Sequence, residues 1–145
     1  MTTTLTMRTL TSPKLGDVTY GPDDVIRFPH GIPGFEKLRE FLLVTRGECE
    51  PFVFLMSIER PEVTLPLLPL GLAAEATKVG AAGVASLKVG EASRVAHYAV
   101  VSVGVETREI ITNLRAPVVV NLDTRLGRQV ILPDEALPVA APLGA

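Results

Sequence analysis

The sequence predicts an all-β fold, a small antiparallel β-barrel-like domain with Pro/Gly-rich corners and little helix. Short runs with period-two alternation recur along the chain, they are rich in β-branched residues, and each is bounded by Gly, Pro or Asp. With 145 residues, 47% of them hydrophobic and 21% charged, one domain over residues 1–145 is expected to bury its own core.

The elements follow in order. The opening "MTTTLTMRTLT" lacks a continuous apolar core and a small-residue cleavage site, so residues 1–13 read as an extended or strand-forming tail and not as a secretory signal. "LGDVTY" and "DVIRF" are the first strand candidates. "FPHGIPGFE", Phe28 to Glu36, then places two prolines and two glycines among apolar residues. Proline fixes φ and restricts its predecessor, whereas glycine admits conformations closed to other residues, so this corner is expected to hold one shape. Such a loop either plugs the end of a small barrel or presents a preorganised surface to a partner.

"EFLLVT" is the next strand, and "FVFLMSI", apolar on both faces, suits a strand covered on each side. Pro66 and Pro69 cannot donate to a ladder, which demotes "VTLPLL" to an edge strand or one that leaves its sheet. Residues 71–94, with Gly80, Gly83 and Gly90, read as an irregular insertion. In "AHYAVVSVGVE", Ala99, Val101, Val103 and Val105 share one face and Val100, Ser102 and Gly104 the other, so a central strand with one buried side is expected. "REIITNL" and "PVVVNL" read as two further strands. "PVVVNLDTRLGRQVIL" reads as a hairpin, with Asp123 opening the turn and Gly127 taking the left-handed position. Residues 134–145, rich in proline, read as an extended tail.

Composition excludes several function classes. A net charge of −2 gives no overall basic field for nucleic acid or anionic lipid, so neither direct nucleic-acid binding nor membrane association is expected. No apolar stretch reaches the ~20 uninterrupted residues of a membrane helix. The lone Cys49 suits a reducing compartment, with the cytoplasm expected. It also sits between Glu48 and Glu50, whose charge disfavours a thiolate nucleophile. His30 and His97 fall in different elements, with Asp23 and Asp24 as conceivable companions, and no spacing ties them into an acid–base or metal site. "GAAG" lacks the Lys-Ser/Thr pair of a phosphate loop. Arg115, Arg125 and Arg128 gather around one hairpin, where Asp123 neutralises part of their charge. No catalytic residue, cofactor or metal is expected. A small-barrel RNA- or ligand-binding module is the competing class, and it calls for aromatics interleaved with basic residues, whereas this chain has no Trp and 5% aromatics.

Two long motifs, "LGDVTYGPDDVIRFPHGIPGFEKLREFLLV" and "TNLRAPVVVNLDTRLGRQVIL", resemble the FliW family of flagellar assembly factors in their order and separation. The resemblance covers residues 15–70 and 95–132. It implies a non-enzymatic, monomeric, cytoplasmic protein that binds the C-terminal region of flagellin. It also implies binding of the translational repressor CsrA, which lifts the block on flagellin mRNA by partner switching. The residues expected to contact partners are Phe28, Pro29, Gly31, Ile32, Pro33, Gly34, Phe35 and Glu36 of the first motif, Glu59, and Asn113, Arg115, Pro117, Asn121 and Arg125 of the second. Within the loop, Phe28 and Ile32 are expected to anchor inward while nearby backbone shapes the partner surface. Where the family commonly carries an acidic "DDPD"-like stretch, this chain has "ERPE", Glu59 to Glu62, and its middle insertion is Ala/Gly-rich. A weaker acidic surface for CsrA is the expected result.

Overall fold

The alternating runs become strands in the order of their occurrence, and a computed structural model describes residues 7–72, 95–103, 110–131 and 141–142 of the chain. β1 (Arg8–Ser12) and β2 (Gly16–Tyr20) pair as a separate two-stranded sheet. β3 (Ile26–Arg27), β4 (Glu40–Thr45), β5 (Val53–Ser57), β6 (Thr64–Leu72), β7 (Val95–Val103), β8 (Ile110–Asn121), β9 (Leu126–Gln129) and β10 (Ala141–Pro142) share the main sheet. β3 to β9 close into a seven-stranded barrel, because β9 pairs with both β8 and β3. Every barrel pairing is antiparallel except the seam between β3 and β9, which is parallel at Arg27 and Leu126.

The strand residues sort into two cores. In β4 and β5, Phe41, Leu43, Val53 and Leu55 join the barrel interior with Ile26, Phe28, Leu67, Tyr98, Val118 and Val120. Leu42, Val44, Phe54 and Met56 point the other way, under Val18 and Tyr20 of the small sheet. This two-sided burial is why "EFLLVT" and "FVFLMSI" are apolar on both faces. Arg46 fastens the small sheet by donating from one guanidinium nitrogen to the carbonyls of Leu15 (3.2 Å) and Asp17 (3.0 Å).

Several expectations are corrected. β6 is interior, between β5 and β7, despite its prolines. Successive strand residues aim their N–H groups at alternate neighbours, so Pro66 and Pro69, three apart, remove one ladder position from each side instead of two from one. The register then shifts between Pro69 and Gly71. "REIITNL" and "PVVVNL" form one strand, β8, whose pairing with β7 jumps between Tyr98 and Val100. "DVIRF" contributes only the two residues of β3, since Pro22–Asp24 make a 3-10 turn. β7 is central as expected, but Val95 through Ala99 are all buried, so both of its faces are covered there.

The hairpin forms between β8 and β9, with different chemistry from that expected. The Asn121 side chain opens the turn by accepting from the N–H groups of Asp123 (2.9 Å) and Thr124 (3.2 Å). Arg125, at φ 59°, takes the left-handed position. Gly127 lies within β9. In the N-terminal tail, Arg8–Ser12 are extended but paired, and in the C-terminal tail Ala141 and Pro142 pair with Thr112 and Ile111. Gly71 and Leu72 of the expected insertion belong to β6, and residues 73–94 lie outside the described residues.

Candidate partner-binding surface

The corner after β3 is a chain of three tight turns. Gly31 N–H donates to Phe28 O (2.8 Å), Phe35 N–H to Ile32 O (2.7 Å), and Leu38 N–H to Phe35 O (3.0 Å). Proline occupies the second position of the first two turns, where its fixed φ is already correct. Gly34 has φ 89° at the third position of its turn, as a type II geometry demands, and Gly31 has φ 64°. Phe28 and Ile32 are buried in the barrel core, with the Phe28 ring edge-on to Phe41 at 5.0 Å between centroids. Inward anchoring is therefore observed for both residues.

Hydrogen bonds close the neck of the loop. Phe28 N–H donates to Arg39 O (2.8 Å), and Arg39 Nε donates to Glu36 O (2.9 Å). Glu59 reaches across from the β5–β6 connection, where its carboxylate accepts from the N–H groups of Glu40 (2.9 Å) and Arg39 (3.2 Å). What remains outside is Pro29, His30, Pro33, Gly34, Glu36 and Lys37, with Phe35 37% exposed at their centre. The result is a stiff, aromatic-tipped projection.

Glu36 holds the projection electrostatically. Its Oε2 accepts from Gly34 N–H (2.9 Å), and that bond, ahead of its own backbone N–H, lowers its carboxyl below the ordinary 4.5. A depressed carboxyl contributes stability above its unfolded value and loses it as pH falls through the folded one. The Gly34 amide resonance is therefore expected to titrate below pH 4.5 in step with the Glu36 carboxyl. In Glu36→Gln that titration is expected to vanish; an NMR pH series on both proteins checks it.

The remaining expected site residues lie elsewhere. Because β9 runs parallel to β3, the β8–β9 hairpin sits at the opposite end of the barrel from the Phe28 to Glu36 loop. There Asn121 is fully buried, and Arg125 donates from its guanidinium to Asp24 O (2.8 Å) while its own carbonyl receives Arg27 N–H (2.9 Å). Burial raises the Tyr98 hydroxyl above its ordinary value, and the nearby positive charge of Arg125 opposes the rise. Pro117 is buried and its carbonyl accepts Val130 N–H (2.9 Å). Asn113 is half-buried opposite Val100, and the side chain of Arg115 lies outside the described residues. Between the hairpin, the 3-10 turn and the outer face of β3–β4 runs an open depression of about 750 Å³, lined by Asp23, Arg27, Glu40, Asp123 and Arg125 among others. Its charges are mixed in sign.

No convergent chemistry marks the described residues. His30 is on the exposed loop, His97 is buried in β7, and Cys49 is half-buried in the β4–β5 connection. Among the described residues no group of three or more His, Cys, Asp or Glu could hold a metal ion, and no helix is long and apolar enough to cross a membrane. The "ERPE" carboxylates are engaged internally. Glu59 binds backbone as above, and Glu62 pairs with Arg60 Nε at 3.1 Å, its carboxyl lowered by its own backbone N–H and then by Arg60. Sequence reasoning missed Gly127, which faces the Phe28 ring, and Arg39, which ties the neck. Gly127 meets a ring 99 positions earlier and the Arg39 N–H a carboxylate twenty positions later, contacts that no local pattern encodes, whereas the Arg39 Nε bond to Glu36 O is local.

Residues 9–143 match the family model described as FliW protein. The chain belongs to the FliW family. It is 35% identical over 136 residues to a flagellar assembly factor FliW of Carboxydothermus hydrogenoformans, covering 92% of this chain and 88% of the relative. It is 37% identical over 119 residues to one of Clostridium botulinum, covering 81% and 84%. A solved FliW, described as the crystal structure of the flagellar assembly factor, superposes with a TM-score of 0.79 at 26% identity, covering 95% of this chain and 98% of that one. The family match and the structural superposition thus cover nearly the whole sequence.

Proposed function

We propose that this chain is a non-enzymatic flagellar assembly factor that binds the C-terminal region of flagellin and, by partner switching, antagonises the translational repressor CsrA. The reading places it in the cytoplasm as a monomer. The observation that carries it is the kinship over 92% of the chain with a relative named flagellar assembly factor FliW. The stiff projection around Phe35 supports it, because a surface already ordered before encounter loses little entropy on binding. With both "ERPE" carboxylates engaged internally, CsrA is the weaker of the two ligands in this reading.

Titration calorimetry of the purified chain with flagellin, and separately with CsrA, tests the proposal. Both are expected to bind, and flagellin added to the CsrA complex is expected to release CsrA able to bind RNA again. If flagellin binds alone, the regulatory half of the reading is removed. If neither binds, the whole reading is overturned.

A further inference from the structure

The β4–β5 connection and the outer faces of β5, β6 and β7 border a second open hollow, of about 350 Å³. Its floor follows from register. Phe54 of β5 pairs with Pro66 of β6, and the adjoining Leu67–Val100 pair sets Val101 of β7 beside Pro66. Phe52 and Cys49 complete the apolar wall. Above it stand Glu48 and Glu50, both exposed, and no Lys or Arg lines the hollow among the described residues.

Three features separate this hollow from ordinary surface. The rim backbone is preformed: Cys49 N–H donates to Arg46 O (2.9 Å) and Phe52 N–H to Cys49 O (3.0 Å), so two tight turns set the main chain that carries both glutamates. Neither carboxylate has a hydrogen-bond or ion-pair partner among the described residues, in contrast to Glu59 and Glu62. The volume lies at the low end of the ~300–1,000 Å³ typical of ligand pockets, a size for a few side chains of a peptide. Apolar floor and unpaired acidic rim together define the complementary chemistry, a segment presenting aliphatic or aromatic side chains flanked by Lys or Arg.

We infer that this hollow docks a cationic, apolar segment of a partner protein, and that the acidic contact surface of this chain lies at Glu48 and Glu50 and not at the "ERPE" stretch. The inference rests on the proposed function in taking the partner to be a protein. Its test uses neither flagellin nor CsrA, so failure of this site and failure of that function are distinguishable.

The test is a random-peptide display selection on the immobilised full chain, with Glu48→Lys/Glu50→Lys as the counter-target. Phe52 lines the hollow, is half-buried and belongs to neither core, so Phe52→Ala removes part of the apolar wall alone. Enriched peptides are expected to combine Leu, Ile or Phe with Lys or Arg, and to bind about tenfold more weakly both to Phe52→Ala and to Glu48→Gln/Glu50→Gln. Glu48→Lys/Glu50→Lys, altered only at exposed positions, is expected to abolish binding and serves if the Phe52 variant does not fold. Enrichment of peptides without basic residues, enrichment indifferent to these variants, or no enrichment at all overturns the inference.

Discussion

Gly127→Ala is expected to destabilise the protein by about 3 kcal/mol, although it adds one methyl group to a strand. A Cβ at this position would sit 2.5 Å from Cζ and 2.7 Å from Cε1 of Phe28. The ring cannot swing away, because it is fully buried and already edge-packed on Phe41. Either β9 moves off β3 or the first residue of the loop is displaced, and both open the barrel seam. Urea denaturation of the variant gives the magnitude, and a double-mutant cycle with Phe28→Leu gives the cause. Leu removes the ring atoms that the new methyl meets, so the pair is expected to be less destabilised than the sum of the single variants by about 1–2 kcal/mol. Additive effects would refute the ring contact as the origin.

Gly31→Ala and Gly34→Ala are expected to differ sharply, although both glycines have positive φ. At Gly34 a Cβ meets nothing within 4 Å, so only left-handed strain is added, about 1–2 kcal/mol. At Gly31 the same strain is joined by a collision with the backbone of Glu36, whose Cα and O would each lie 2.6 Å away. Backbone cannot rotate clear as a side chain can, so the turns from Phe28 to Leu38 must rearrange, and a loss of about 3 kcal/mol or more is expected. Thermal melts of the two variants check the ranking. Equal losses would mean that the two limbs of the loop do not touch at Gly31.

Much of the fold was legible because its determinants are local. The short apolar runs "EFLLVT" and "FVFLMSI" mark two strands within a residue or two of their ends, and the two-sided apolarity of "FVFLMSI" fits the second core under β1–β2. The proline and glycine placement of the Phe28 to Glu36 loop specifies its turns directly. Local propensity failed where tertiary pairing overrides it. Pro66 and Pro69 argue for an edge, yet the remaining ladder positions of β6 hold it between two neighbours. Gly127 looked like the left-handed residue of its hairpin, while the structure gives that conformation to Arg125 and uses Gly127 to make room for a ring 99 positions earlier in the chain.

The candidate surface was legible in its loop and not in its distribution. Motif letters place Phe28, Glu59, Asn121 and Arg125 on one roster, but the direction of β9 sends the last two to the far end of the barrel. Glu59 reads as a solvent-facing acid until the backbone donors of Arg39 and Glu40, about twenty residues earlier, are brought against it. Side chains recruited to hold backbone across such separations leave no periodicity to read.

The parallel junction of β3 and β9 joins at a single pair, Arg27 and Leu126, and β3 meets β4 at only two, whereas β4–β5 pair over five residues and β8–β9 over four. A cylinder fastened so unevenly does not breathe uniformly. Its transient gaps are expected along that stitch, so in native-state hydrogen exchange the Arg27 amide should exchange well before those of Leu55 and Met56.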